Sequence, residues 1–506
     1  MKRARTVMLQ GTSSGVGKSL LAAALCRVLR RRGMSVLPFK AQNMSLNVAV
    51  TADGGEVARA QALQAVACGV DVTTDMNPIL IKPDGEHSAQ VVVDGSVVGR
   101  MTAHDFHQLK PRLWQSVAGA IDRLRAQCDV LVVEGAGSPA EVNLRDRDIV
   151  NMRVAAYAGA PVLLVADIDR GGVFASLLGT LDLLRAGERR MVRGLVVNNF
   201  RGDRAAFAEG IAFLQQRSRL PVIGPVPHVN GLHLAEEDAL GLPSLRRGAH
   251  RDKAALDVAV LSLPRMSNFD DCDPLHRERG VGVRMVDSGD RLGDPDLVVL
   301  PGSKTTLADL DVLRERGVDR ALRAARDRGT AVLGICGGMQ LLGRVLSDPD
   351  GVDGERRGRG RGLGLLPTST RMGQAKVVRR VSGEVLDVPG LFAAARGLAV
   401  SGYEVHVGST PAAAPPLRLR DAGGDAWEDG ATSEDGWVAG THVHGLFEET
   451  ALRRALLRAV AEHRGRRWRP GSVVPDTESE LDRLADALES SVDMHRVLAI
   501  IDAGAP

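Results

Sequence analysis

At 506 residues the chain exceeds the roughly 100 to 200 residues of one ordinary domain, and 44% apolar with 25% charged residues suits a globular protein of two or three cores. A formal net charge of only +3 excludes a strong basic field for nucleic acid or an anionic membrane surface. Aromatic residues at 3% are too sparse for a platform on which single-stranded bases stack, so partners must be read from sites.

From the N-terminus, Met1-Lys2-Arg3-Ala4-Arg5 runs straight into a strand pattern at Thr6 to Gln10 with no secretory apolar region between them, and no apolar run approaches a membrane span. The strand leads into Gly11-Thr12-Ser13-Ser14-Gly15-Val16-Gly17-Lys18-Ser19, after which Leu20, Leu21, Ala24, Leu25, Val28 and Leu29 recur at helical spacing up to Gly33. A glycine-rich turn at a helix N-terminus aims backbone N–H groups at phosphate oxygens. Ser14, Gly15, Val16 and Gly17 would supply them to ATP, Lys18 would reach the β and γ phosphates, and Ser19 would ligate Mg²⁺. Five residues, not four, separate Gly11 from Gly17, and Ser13 stands where partitioning ATPases carry a signature lysine. Further continuous apolar runs at Val130 to Glu134, Pro161 to Asp167 and Gly194 to Asn198 read as buried parallel strands, with Glu134 placed as a second metal ligand.

Gly241 to Ala255 loses periodicity and gains charge. The expected division is therefore an ATP-binding domain at 1–240, a linker at 241–255, a second domain at 256–450 and a helical extension at 451–506. In the second domain Val258 to Leu263, Leu297 to Leu300 and Ala331 to Ile335 are again strand-like. The last runs into Gly334-Ile335-Cys336-Gly337-Gly338, a nucleophile elbow carrying sulfur with a helix behind it that favours thiolate. The five cysteines are otherwise scattered, with no C-x-x-C pair, which points to a reducing cytoplasm. A thiolate attacking an amide needs a proton donor and an oxyanion turn. His444 is the candidate donor, with His442 and His406 not excluded by spacing, and Gly302 and Ser303 form the candidate turn. Asp353 to Gly362 reads as a solvated loop, and Leu481, Leu484, Ala485, Leu488 and Val492 as one face of a packed helix. The fold class is α/β, two doubly wound domains: a P-loop NTPase-like parallel sheet and a flavodoxin-like sheet.

Several long stretches resemble the cobyric acid synthase family: Lys40-Ala41-Gln42-Asn43-Met44-Ser45, Thr51-Ala52-Asp53-Gly54-Gly55-Glu56, Glu134-Gly135-Ala136-Gly137-Ser138-Pro139-Ala140-Glu141-Val142-Asn143-Leu144 and Asp167-Ile168-Asp169-Arg170-Gly171-Gly172. The longer phosphate loop is similar to that of dethiobiotin synthetase relatives, and the thiol domain to class I glutamine amidotransferases. The resemblance implies ATP- and glutamine-dependent amidation of the b, d, e and g carboxylates of adenosylcobyrinic acid a,c-diamide. It also implies that Asp53 joins Ser19 and Glu134 around Mg²⁺, that Asn43, Asp146 and Asp148 lie near the corrinoid, and that Asn198 reads adenine. In class I enzymes a glutamate two residues after the histidine orients it; here that place holds Leu446, which leaves the partner of His444 open. Two alternatives remain at this point: cobyrinic acid a,c-diamide synthase, and a P-loop ATPase switch with a degenerate thiol domain.

Overall fold

The computed structural model describes residues 4–232, 234, 254–354, 356–471 and 476–505. Of the expected linker only 254 and 255 fall among them; the rest of 241–255 lies outside the described residues, as does 355 of the expected loop.

The first half is built on a fully parallel sheet in the order Val222–Ile223, Val192–Asn198, Val162–Asp167, Arg5–Gly11, Val130–Glu134, Val36–Phe39. Alternate side chains along each strand enter opposite cores: Val7, Leu9, Val130, Val132, Leu163 and Val165 pack on the face of the helix Lys18–Arg31, while Met8, Leu131, Val133 and Leu164 pack on the face of the helix Ala103–Arg125. A strand buried on both faces has no polar period to show, which is why these runs are continuous in sequence. The chain passes from Val130–Glu134 on one side of the central strand Arg5–Gly11 to Val162–Asp167 on its other side, so the carboxyl ends of Arg5–Gly11 and Val130–Glu134 border the crevice where ligands bind in doubly wound sheets.

The second half carries the sheet Val281–Val286, Leu256–Leu261, Leu297–Leu300, Ala331–Ile335, Val438–Thr441, parallel throughout, with Ala431–Thr432 added antiparallel. Two largely antiparallel layers, each with one parallel pair, escaped the sequence reading. One joins Gln42–Met44, Ile79–Pro83, Ser88–Val93 and Ser96–Thr102, with the hairpin Val48–Val50 to Glu56–Ala58 beside it. The other centres on Ser369–Val385 paired with Ala399–Ser409. Within the expected loop, Gly358–Arg361 is a strand against Val345–Asp348, and Asp353 is buried, accepting from the backbone N–H of Thr306. The two layers meet: Val48, Val50, Leu80 and Val92 share an apolar cluster with Tyr403 and Val405. Among the described residues no helix is long and apolar enough to cross a membrane.

The C-terminal extension divides. Thr450–His463 packs on the second sheet through Leu452, Leu456 and Val460, whereas Thr477–Ser491 and Met494–Ala503 return to the first half. There Arg27 pairs with Glu478 at 2.7 Å and Asp482 at 2.6 Å, and Leu481 joins the core beneath Lys18–Arg31.

Candidate active site

In the first half the loop turns through Gly15 and Gly17, both at positive φ. A Cβ on Gly17 would lie 2.3 Å from Asn198 Nδ2, so the position admits only glycine. That Nδ2 donates to Val16 O at 2.8 Å, so the Asn198 amide braces the loop from the neighbouring strand end. This use of its N–H group differs from the expected contact with adenine. Lys18 opens the helix and its ammonium donates to Ser13 O at 3.0 Å, curled over the loop where phosphates would lie.

Behind it Glu134 is buried and accepts on one oxygen from Ser19 Oγ at 2.7 Å and Lys40 Nζ at 2.8 Å, and on the other from Gln64 Nε2 at 2.6 Å. Burial alone would raise this carboxyl, but the Lys40 ammonium with the Ser19 and Gln64 hydrogen bonds outweighs it and holds the group below its ordinary value. A hydroxyl facing an ionised carboxylate at the foot of a phosphate loop is a hard-oxygen pair of the kind Mg²⁺ takes, so the residues fit that ion. A cleft of about 480 Å³ opens in front, lined in part by Gly15, Lys18, Lys40, Asn43, Ser138 and Asp148.

The expected acidic residues are not all gathered there. Asp53 sits exposed at the tip of the hairpin Val48–Val50 to Glu56–Ala58, its carboxylate accepting from Thr51, and it is not in the wall of the cleft; the structure does not bring it to Ser19 and Glu134. Asp146 points to solvent, 84% exposed, and pairs with Arg185 at 2.8 Å. Asp148 lines the cleft, but its carboxylate is used to accept the N–H groups of Val150 and Asn151 at 2.8 and 2.9 Å ahead of the helix Met152–Ala158. Asn43 lines the cleft and donates to Gln61 Oε1 at 2.9 Å. Lys40, Gln61 and Gln64 are the residues that sequence reasoning missed; Lys40 stood within a quoted motif, but nothing in spacing ties it to Glu134.

In the second half Cys336 leaves the strand Ala331–Ile335 at φ 50 and ψ −110, a strained conformation for a non-glycine residue, and caps the helix Gly337–Leu342. Its N–H donates to Thr441 O at 2.7 Å on the adjacent strand. A Cβ on Gly337 would lie 2.6 Å from Ser303 N, so glycine lets the backbone of the Gly302–Ser303 turn close on the elbow. A Cβ on Gly302 would lie 3.2 Å from His444 Cε1, which places turn, thiol and imidazole together. Ser303 Oγ donates to Asp309 at 2.6 Å, fixing the turn.

His444 is fully buried. Its Nδ1 is held by Asp271 Oδ2 at 2.7 Å, and Gly445 N–H donates to Asp271 Oδ1 at 2.8 Å, so Asp271 is the orienting acid for which Leu446 left no candidate. Burial by itself lowers the histidine pKa, but Asp271 and the neighbouring Cys336 outweigh it and raise it to about 10, favouring imidazolium. Tyr403 stacks on the ring. His442 is a separate arrangement: Nδ1 on Asp429 at 2.7 Å, ring stacked on His406, with Glu404 near. Burial, with His442 beside it, pushes His406 down to about 3, which makes it a poor proton donor. Cys336 also borders a crevice of about 40 Å³ whose wall includes Leu46 and Lys82 from the first half.

Residues 7–242 match the family model described as the CobQ/CobB/MinD/ParA nucleotide binding domain, and residues 257–452 the CobB/CobQ-like glutamine amidotransferase domain. Fold, sites and models together define a nucleotide-binding glutamine amidotransferase of two halves. Over nearly its whole length the chain is similar to proteins named cobyric acid synthase: 43% identical to one from Dehalococcoides mccartyi, covering 99% of each chain, 47% to one from Sorangium cellulosum, covering 97% of each, and 47% to one from Roseiflexus castenholzii, covering 99% of this chain and 100% of that one. The chain belongs to the cobyric acid synthase family, and it is a glutamine-dependent amidating ligase.

Proposed function

We propose that the chain amidates the b, d, e and g carboxylates of adenosylcobyrinic acid a,c-diamide with ATP and glutamine, giving adenosylcobyric acid, in the cytoplasm. The observation that carries this reading is the presence in one chain of a phosphate loop backed by Glu134 and a Cys336–His444–Asp271 constellation.

In the second half the Cys336 thiolate attacks the side-chain amide carbon of glutamine. The backbone of the Gly302–Ser303 turn and the Gly337 elbow faces the oxyanion. His444, held protonated by Asp271, gives its proton to the departing ammonia, and water then hydrolyses the thioester to glutamate. In the first half a corrinoid carboxylate in the cleft beside Asn43 attacks the γ-phosphorus of ATP, releasing ADP and leaving an acyl phosphate. Ammonia adds to the acyl carbon and phosphate leaves. Ser14 to Gly17 and Lys18 hold the triphosphate, and Ser19 and Glu134 would hold Mg²⁺, which neutralises phosphate charge when bound. Lys40 keeps Glu134 ionised, and Asp148 shapes the cleft wall through the turn it caps.

Mass spectrometry of adenosylcobyrinic acid a,c-diamide incubated with the protein, ATP, Mg²⁺ and glutamine tests the reading. The expected result is stepwise replacement of hydroxyl by amino at each of these carboxylates; conversion of cobyrinic acid at its a and c positions instead would overturn it.

A further inference from the structure

The acid that orients His444 does not stand on the second half alone. Asp271 belongs to the short helical turn Phe269–Cys272, and the first half grips that turn. Val48 N–H donates to Asn268 Oδ1 at 2.9 Å, and Phe269 N–H donates to Asn47 Oδ1 at 3.2 Å. Asp270, next in sequence to the orienting acid and buried, meets Arg59 Nε at 2.8 Å. Its other oxygen has no hydrogen-bond partner.

Arg59 is the first residue of the helix Arg59–Cys68, and its own N–H is fixed on Asn47 O at 3.1 Å. The same helix carries Gln61, which accepts from Asn43, and Gln64, which holds Glu134 at 2.6 Å. One rigid element therefore touches the nucleotide end of the molecule and the turn that aims the histidine.

We propose that Arg59, supplied by the nucleotide half, is a positioning residue of the glutaminase site: its ion pair with Asp270 holds the Phe269–Cys272 turn so that Asp271 stays aligned on His444. The inference rests on the function proposed above and assigns a further residue to it. Two adjacent buried carboxylates repel each other, and an unpaired buried charge is costly unless it is neutralised or moves. Burial drives the Asp270 carboxyl upward, Arg59 pulls it down and Asp271 pushes it up again. Without the guanidinium, Asp270 must take a proton or swing toward water, and either change moves the backbone that carries Asp271. The consequence falls on the chemical step, since Asp271 touches the imidazole and is not among the residues bordering the crevice at Cys336.

The test compares wild type, Arg59→Met and Arg59→Lys as full-length enzymes, in glutamine hydrolysis and in amidation driven by added ammonium. Arg59→Met is expected to lower kcat for glutamine hydrolysis about tenfold or more, to leave KM for glutamine within about twofold, and to leave ammonium-driven amidation unchanged. Arg59→Lys, which keeps the charge, is expected to recover most of kcat. Unchanged glutamine kcat, a parallel fall in ammonium-driven amidation, or a loss in Arg59→Lys equal to that in Arg59→Met would overturn the inference. If Arg59→Met does not fold, Asp270→Asn takes its place: removing the other charge of the ion pair is expected to lower kcat for glutamine hydrolysis with KM for glutamine and ammonium-driven amidation kept, and a wild-type kcat in that variant refutes the proposal. A wild-type enzyme that fails to hydrolyse glutamine would sink the proposed function itself, a different outcome from any of these.

Discussion

The two chemical centres are built by opposite strategies. In the nucleotide half the reacting groups lie on one contiguous loop, Ser14 to Ser19, and open onto a cleft of about 480 Å³. In the glutamine half Cys336, His444 and Asp271 come from three separate segments, and all are buried. The difference follows from the chemistry. A triphosphate is bound by many weak backbone donors that one glycine-rich turn can supply, and a large acceptor must enter beside it. A thiolate and an imidazolium instead need an aligned acid and shelter from water, which only packed segments from several places provide.

Cys336→Ser breaks the comparison most sharply. Glutamine-dependent amidation should fall by about 10⁴-fold or more, because the hydroxyl is a far weaker nucleophile, while ammonium-driven amidation continues in the other half. Steady-state rates with each nitrogen source decide it; loss of both would show that the centres are not separable.

Asp271→Asn should come next. Wild-type glutaminase should lose activity on the alkaline side near pH 10, where His444 gives up its proton. The sign follows from the charge: the Asp271 carboxylate favours imidazolium, so removing it leaves only Cys336 opposing burial and drives the histidine pKa down. The alkaline limb of the kcat profile should therefore move toward acid, with a loss of about 10²-fold or more at neutral pH. A limb that stays in place would mean Asp271 does not govern the histidine.

Lys18→Ala should cost about 10²- to 10³-fold in ATP-dependent amidation, the usual effect of deleting one positive group from a phosphoryl-transfer site, and should leave glutamine hydrolysis within about tenfold of wild type. Unaltered amidation kinetics would remove Lys18 from the mechanism.

The same contrast explains what could be read from sequence. The phosphate loop, Glu134 at a strand end and the Gly-x-Cys-x-Gly elbow were legible because each is a local pattern whose backbone demands are met by neighbours in the chain. Asp271 was not, since it reaches His444 across 173 residues and nothing in spacing joins them. Lys40, Gln61 and Gln64 converge on Glu134 only through the fold. Asp53 and Asp148 show the converse: their carboxylates accept from groups of their own turns, a use that the runs they stand in do not announce. The long strand Ser369–Val385 escaped because its middle, half-buried throughout and carrying Lys376, Arg379 and Arg380, shows no apolar alternation.

Leu481 has the smallest expected effect on rate and the clearest one on stability. Its helical spacing announced a packed face but not which core would receive it; the structure puts it, fully buried, against the nucleotide half while the preceding helix Thr450–His463 packs on the other half. Leu481→Ala removes buried methyl groups and should destabilise that half by about 2 to 5 kcal/mol. Amide hydrogen exchange should quicken in Lys18–Arg31 and stay slow in the strand Ala331–Ile335, because the lost contacts lie on one side only. Equal acceleration in both would mean that the halves unfold as one unit and that the C-terminal helices clamp the whole molecule; acceleration in Lys18–Arg31 alone would make them a part of the nucleotide core supplied from the far end of the chain.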